Sequence, residues 1–187
     1  MKEIIFKITE NKYIAKNVYR MLLEGDTSEI TVPGQFVNIK LDGLFLRRPI
    51  SVCDREDGLL TLIYKVVGKG TEEMSEYLPG RELDILTGLG NGYRTEMSGD
   101  KPLLLGGGAG VPPMYWLMKR LLAEGKDVTA ILGFNTADEV FYEDEFRELK
   151  GNVVVVTADG SYGEKGFVTD AMAGADYSYF YACGPGP

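Results

Sequence analysis

A small antiparallel β-barrel followed by a doubly wound, parallel α/β domain is the fold that these 187 residues predict. Three observations point there. The first half of the chain is a series of short segments rich in Val, Ile, Leu and Tyr, closed off by Gly, Asp and Pro turn signals. The second half alternates such segments with helical periodicities, the rhythm of strands joined by crossover helices. Between them lies a polar, glycine-bearing stretch, LGNGYRTEMSGDK over residues 89–101, where the composition changes and a domain boundary fits. The expected domains are 1–98 and 99–187.

In the barrel half the expected strands are 4–9, 18–23, 35–40, 48–53, 59–67 and 82–86, and a helix over 71–78 interrupts them. In the second half, strand 103–105 leads to helix 112–124, strand 128–132, helix 143–149, strand 153–157, helix 167–173 and strand 179–183. Along helix 112–124, Met114, Leu117, Met118, Leu121 and Leu122 follow the i, i+3, i+4, i+7, i+8 spacing of a face packed on a sheet. Pro112 and Pro113 stand in a first helical turn, where a missing N–H is not needed.

Composition narrows the function. A net charge of −8 argues against nucleic acid or an anionic membrane surface as the main partner. No apolar run approaches the length of a membrane span, and the opening MKEIIF lacks a signal-peptide layout, so a cytoplasmic protein is expected. Histidine is absent, which removes Ser-His-Asp and Cys-His nucleophilic schemes and His-ligated metals. Only Cys53 and Cys183 are present, far apart and without metal-ligand spacing. Chemistry then falls to carboxylates, lysine, tyrosine or a bound cofactor.

Five constellations could carry that chemistry. The stretch LLLGGGAGVPP, residues 103–113, is a strand, a glycine turn and a helix start. It gathers unpaired N–H groups and the positive helix end at one point, which suits a phosphate, although such turns also serve tight packing. It is not G-x-G-x-x-G, and no acidic residue closes the next strand. Within Arg47-Arg48-Pro49-Ile50-Ser51, Arg48 could bind a diphosphate and Ser51 could hydrogen-bond a ring nitrogen. The same residues also read as an edge strand with a solvated arginine pair. Ile63-Tyr64-Lys65 leads through Gly68 and Gly70 to Thr71, the expected N-cap of a helix, and this too is either an anion site or an ordinary loop. Thr157 and Asp159 follow one parallel strand, and Cys183-Gly184-Pro185 end another, the strand ends where open α/β sheets bind ligands. Cys183 also reads as a small buried apolar residue.

Taken in order, these pieces resemble the ferredoxin reductase-like flavoproteins, in which a flavin-binding barrel precedes a nicotinamide-binding α/β domain. Arg48, Pro49 and Ser51 match the flavin motif, Gly70 and Thr71 the FAD diphosphate site, and Gly107, Gly108, Gly110, Pro112 and Cys183 to Pro185 the pyridine-nucleotide elements. Three details are most similar to the electron-transfer subunits of the NAD-dependent (class 1B) dihydroorotate dehydrogenases: RRPIS at 47–51, VGKGT at 67–71, and LGNGY at 89–93 following LDIL at 83–86. The resemblance covers nearly the whole chain. It implies FAD, NAD(H), a [2Fe–2S] cluster and a partner, the FMN-containing dihydroorotate dehydrogenase catalytic subunit of pyrimidine biosynthesis. The family's cluster ligands lie beyond the CGP motif, whereas this sequence ends at Pro187, and Cys53 and Cys183 cannot supply four thiolates. A truncated product is the expectation, with no metal held by these residues.

The implied chemistry is hydride transfer between NADH and FAD without a protein acid or base, the cofactors reacting and the protein positioning them. The NADH diphosphate is expected at 107–110 and the nicotinamide near Cys183 and Thr157, with the flavin ring held by 48–51 and its diphosphate near Gly70 and Thr71; Ile63, Tyr64 and Lys65 are expected among the cofactor-binding residues. No arginine lies between Arg120 and Arg147 to meet a 2′-phosphate, which favours NAD over NADP. Two other readings stay open: a ferredoxin reductase-type or hydrogenase-associated diaphorase subunit, and a non-catalytic interaction module that keeps the fold.

Overall fold

The computed structural model describes residues 1–185, in two compact units, Met1–Gly92 and a second that begins at Tyr93. The first is a closed antiparallel barrel of β1 (Lys2–Ala15), β2 (Val18–Glu24), β3 (Phe36–Ile39), β4 (Arg48–Glu56), β5 (Leu59–Lys65) and β6 (Glu82–Leu89). Its strand order is β1-β2-β5-β4-β3-β6. Alternation sends Phe6, Ile8, Met21, Leu23, Val37, Ile39, Leu60, Leu62 and Ile85 into the interior, all buried. Closure leaves no edge, so β4 pairs on both sides, with β3 and with β5, and the edge-strand reading of Arg47–Ser51 does not hold.

β1 runs to Ala15, well past the expected 4–9. Its first half pairs with β6 and its second with β2, the register shifting between Ile8 and Glu10. The polar run Glu10-Asn11-Lys12 conceals this second half in the sequence. Asn17, at φ 58°, supplies the left-handed residue that the tight β1–β2 turn requires.

The helix of the barrel unit, α1 (Lys69–Ser75), starts and ends earlier than the expected 71–78. Gly68 is its N-cap and Thr71 sits inside the first turn. Thr71 Oγ1 reaches back to accept from the N–H groups of Val67 (3.0 Å) and Gly68 (3.3 Å) and donates to the Gly68 carbonyl. The hydroxyl still satisfies the helix start, but from inside it.

The second unit is a parallel sheet of β7 (Pro102–Gly107), β8 (Thr129–Phe134), β9 (Asn152–Thr157), the short β10 (Glu164–Lys165) and β11 (Tyr179–Cys183), in the order β10-β9-β8-β7-β11. The helices are α2 (Val111–Ala123), α3 (Glu143–Glu148) and α4 (Val168–Met172). Leu103, Leu105, Ile131 and Val156 form one face of the core under Val168, Ala171 and Met172 of α4. Leu104 belongs to the opposite face by alternation. α2 packs on β7, β8 and β11 through buried Met114, Leu117, Met118 and Leu121, the periodic face that the sequence predicts, while Leu122 is half-buried.

This unit begins at Tyr93 rather than at 99 because the polar stretch is tied into it. The Tyr181 hydroxyl donates to the Arg94 carbonyl (2.8 Å), Ser178 Oγ donates to the Ser98 carbonyl (2.6 Å), and the Lys101 N–H donates to Ser178 Oγ (3.0 Å). No helix among the described residues is long and apolar enough to cross a membrane.

Candidate functional site

In the barrel unit, adjacent arginines have separate surroundings. Arg47 is absorbed by the fold: its guanidinium donates to both Asp84 carboxylate oxygens (3.0 and 3.3 Å), to Glu3 (2.6 Å) and to the main-chain carbonyls of Asn38 and Asp84. Arg48 makes no ion pair with a described carboxylate. It donates to the Leu46 carbonyl and lies flat against α1, so close that a Cβ on Gly70 would fall 2.2 Å from Arg48 Nε. The absence of a side chain at Gly70 is what lets the cation settle on the first turn of α1. A seven-residue helix with Glu72 in that turn contributes little field of its own, so the cation at this place is Arg48.

On β4, Pro49 stands opposite Asn38, Ile50 opposite Val37 and Ser51 opposite Phe36. Directly opposed residues share a face, so Pro49, Ser51, Phe36 and Asn38 form one patch on the β3–β4 ribbon. Two polar groups there have no protein partner among the described residues. Ser51 Oγ is half-buried, and Asn38 Oδ1 is fully buried and unpaired. A buried acceptor without a donor costs about 1–3 kcal/mol, so the patch is set up for a ligand that brings a donor. Asn38 was not singled out from the sequence, because an asparagine in a strand carries no motif. Ile63 and Tyr64 are buried in β5. The Tyr64 ring stacks on Tyr19 at 5.9 Å and its hydroxyl donates to Asn11 Oδ1 at 3.0 Å, so that hydroxyl is committed to the fold. Lys65 ends β5, opposite Val18.

In the α/β unit the strand order decides the geometry. β8 and β9 lie on one side of β7 and β11 on the other, so the order reverses at β7 and opens a crevice at the carboxyl ends of β7 and β11. Cys183 is in register with Gly106. The glycines of the turn divide by role. A Cβ on Gly110 would fall 2.1 Å from the Cys183 carbonyl oxygen, and one on Gly106 2.9 Å from Val111 Cα, so these two are required for packing. Gly108, at φ 49°, has nothing within 4 Å of the Cβ position, and Gly107 meets only Pro185 and Gly184 at ordinary contact distance. Gly107 and Gly108 therefore present bare main chain to an open space, followed by Val111, Pro112 and Pro113 at the start of α2. Gly184 and Pro185 are exposed on the opposite lip.

Thr157 and Asp159 are not brought to that crevice. β9 is three strand positions from β11, roughly 14 Å at the usual strand spacing, so the nicotinamide expected near both Cys183 and Thr157 cannot touch both. The Thr157 hydroxyl donates to the Tyr162 carbonyl (2.7 Å) and accepts from the Tyr162 N–H (3.1 Å), closing its own loop. Asp159 accepts from the N–H and hydroxyl of Ser161, bonds that hold its carboxyl below the usual range. Ser161 Oγ accepts from the Ala137 N–H (2.8 Å), which joins this loop to the one after β8.

Burial pushes the Cys183 thiol above its ordinary pKa, partly offset by a hydrogen bond with Tyr93, so near neutrality it is a thiol and not a thiolate. Tyr93 closes the LGNGY segment of the resemblance and is not among the residues that the sequence assigns to the site. Among the described residues, no group of three or more His, Cys, Asp or Glu side chains could hold a metal ion.

Residues 104–187 match the family model described as an oxidoreductase NAD-binding domain. Over 188 residues the chain is 46% identical to the electron transfer subunit of dihydroorotate dehydrogenase B (NAD(+)) from Bacillus mycoides (strain KBAB4), covering 95% of this chain and 72% of that one. The subunit of the same name from Geobacillus sp. (strain WCH70) is 44% identical over 197 residues, covering 100% and 76%. Among solved structures, an NADH-dependent reduced ferredoxin–NADP oxidoreductase superposes with a TM-score of 0.79 at 36% identity, over 90% of this chain and 62% of that one. A ferredoxin reductase of carbazole 1,9a-dioxygenase, at 23% identity, shares the fold with a TM-score of 0.87 over 98% and 61%. The chain thus spans about three fifths of these two structures.

Proposed function

The chain belongs to the family of dihydroorotate dehydrogenase B (NAD(+)) electron transfer subunits, and from that membership we propose that it passes reducing equivalents between NAD(H) and FAD for an FMN-containing dihydroorotate dehydrogenase subunit in the cytoplasm. The observation that carries the reading is the reversal of strand order at β7, which sets bare Gly107 and Gly108 at the crevice mouth. When bound, NADH supplies a hydride and FAD accepts it. The protein's part is positional. The Gly107 and Gly108 main chain and the start of α2 would hold the dinucleotide phosphates, Pro112 shaping that turn. Gly110 keeps β11 close enough for Cys183, Gly184 and Pro185 to form the wall beside the nicotinamide. The Thr157–Asp159 loop would lie toward the adenosine end.

In the barrel unit Arg48 would neutralise the flavin diphosphate beside Gly70 and Thr71, while Ser51 and Asn38 Oδ1 meet polar groups of the flavin. Pro49, Ile50, Ile63, Tyr64 and Lys65 form the strands on which it rests. No residue need exchange a proton, in keeping with a chain that lacks histidine. The [2Fe–2S] cluster does not fit these residues: Cys53 is buried in the barrel and Cys183 lies in the other unit, and two thiols do not make four ligands.

The test is an absorbance spectrum. Protein reconstituted with FAD should be yellow after gel filtration, bleach with NADH, and bleach far more slowly with NADPH. A colourless eluate would reject the flavin assignment, and equal rates would reject the preference for NAD. Co-purification with a dihydroorotate-oxidising FMN protein would separate this partner from a ferredoxin or a hydrogenase.

A further inference from the structure

The groups placed against the flavin do not by themselves choose between two flavins. Ser51, Asn38 and Pro49 would meet a ring that FMN and FAD share, and Arg48 would pair with the phosphate of either. What sets FAD apart is an adenosine half, which needs a surface of its own beyond the phosphates. Followed from Ser51 toward its amino end, β4 carries the ring contacts first and then Arg48, its first residue. Immediately beyond Arg48 the chain leaves the sheet as the loop 40–47 that joins β3 to β4.

That loop holds two apolar side chains out in solvent, Phe45 at 99% exposure and Leu46 at 67%. The residues on both sides of them are pinned. Leu41 is buried, Asp42 accepts from Arg81 Nη2 at 3.0 Å, and the Leu44 N–H donates to the Leu41 carbonyl at 3.3 Å. Gly43, at φ 71°, supplies the left-handed residue of that turn. On the other side Arg47 is tied to Glu3 and Asp84. The loop is also joined to the cation, because the Leu46 carbonyl accepts from Arg48 Nη1. Three residues of chain span at most roughly 11 Å, so Phe45 stands within that reach of Arg48. One exposed aromatic is ordinary, but a pinned Phe-Leu pair bonded to a phosphate-binding cation is an apolar surface continuous with the flavin site.

We infer, on the reading that FAD lies along β4 with its diphosphate at Arg48, that Phe45 and Leu46 form the adenosine subsite and select FAD over FMN. The Phe45 ring stacks on the adenine, and Leu46 covers the apolar side of the nucleoside next to the cation. Stacking of this kind uses the π-face of the base and needs no polar partner, which suits a loop tip that offers none. Because the loop is held at both ends, little chain is ordered when the adenine docks.

The test compares FAD with FMN in the full chain, with dissociation constants read by titration calorimetry for wild type, Phe45→Ala, Leu46→Ala and Phe45→Tyr. An almost fully exposed side chain contributes little to the fold, so the Phe45 variants should remain folded. Wild type should bind FAD at least roughly tenfold more tightly than FMN. Phe45→Ala should weaken FAD roughly tenfold and leave FMN within about twofold, since only FAD carries a base to stack. Phe45→Tyr should retain both affinities, and Leu46→Ala should weaken FAD by a smaller factor. A second readout needs no variant: chymotryptic cleavage after Phe45, followed by mass, should be slowed by saturating FAD and not by saturating FMN. An unchanged FAD affinity in Phe45→Ala, parallel losses for both flavins, or equal protection by both would overturn the inference. If wild type binds FAD and FMN alike, the adenosine subsite falls and the flavin assignment stands. If it binds neither, the flavin assignment itself falls.

Discussion

Gly70 and Gly110 both stand where a Cβ would collide, but the atoms it would meet differ. At Gly70 they belong to the guanidinium of Arg48, the mobile end of a long side chain. Gly70→Ala should therefore displace Arg48 and leave the fold intact, with a stability loss under about 1 kcal/mol and FAD affinity at least roughly tenfold weaker. At Gly110 the atoms are the Cys183 carbonyl and the Gly184 nitrogen, all main chain. Gly110→Ala has no side chain to push aside and should cost on the order of 3 kcal/mol in urea unfolding. Equal stability losses in the two variants would contradict this division. Asn38 makes the opposite trade. Its buried, unpaired Oδ1 burdens the ligand-free protein, so Asn38→Leu should be neutral or stabilising by about 1 kcal/mol in the absence of FAD and should weaken FAD binding. A variant that loses stability without FAD would show that the oxygen is satisfied in solution.

At the scale of elements, Arg47 is a tie between strands, joining Glu3 of β1, the Asn38 carbonyl of β3 and Asp84 of β6. With side chains of Arg47 and Asp84 only 22% and 28% exposed, Arg47→Ala should cost about 2–3 kcal/mol. Arg48→Ala should leave unfolding nearly unchanged and lower FAD affinity instead. Nothing in the dipeptide Arg47-Arg48 distinguishes the two, because the distinction comes from carboxylates 37 and 44 residues away in sequence. Elements were legible where burial imposed a period: β11 has the bounds the sequence predicts, and α2 differs by one residue at each end. The second half of β1 was not, since a barrel strand with a solvated face and a mid-strand shift shows no clean alternation. The two-residue β10 is too short to leave any pattern. The glycine turn and the CGP segment were legible as chemistry. That they meet, and that Thr157 stays apart from them, follows only from the strand order, a long-range property that no local spacing encodes.

For the whole molecule, a net charge of −8 does not by itself say where stability fails with pH. The shifted groups do. Asp26 is bonded to Ser28 and Lys2, Asp159 to Ser161, and Glu96 to its own main-chain N–H and then to Arg94, and all three carboxyls are lowered from ordinary values of 3.8, 3.8 and 4.5. A lowered pKa in the folded state contributes stability above the unfolded value and loses it as pH falls through the folded one. These groups are exposed, so the acid limb should be shallow, set in below about pH 4.5, and flatten further in salt. At the other end, burial first of all raises the phenols of Tyr64, Tyr77 and Tyr93 well above 10.0. A raised pKa contributes fully below the unfolded value and loses its contribution as pH climbs toward the folded one, so the alkaline limb begins near pH 10. Lys2 and Lys101, raised from 10.5 by Asp26 and Asp176, add to the same limb at slightly higher pH. Because burial is the largest cause for the phenols whereas the two lysines owe their shifts to exposed ion pairs, salt should alter the alkaline limb less than the acid one. Urea unfolding from pH 3 to 11, with and without about 0.5 M NaCl, should therefore give a plateau between roughly pH 5 and 9.5 with an acid side more salt-sensitive than the alkaline side. Stability undiminished at pH 11, or an alkaline limb that salt abolishes, would mean that the tyrosines titrate as exposed groups and that each unit packs loosely around its own.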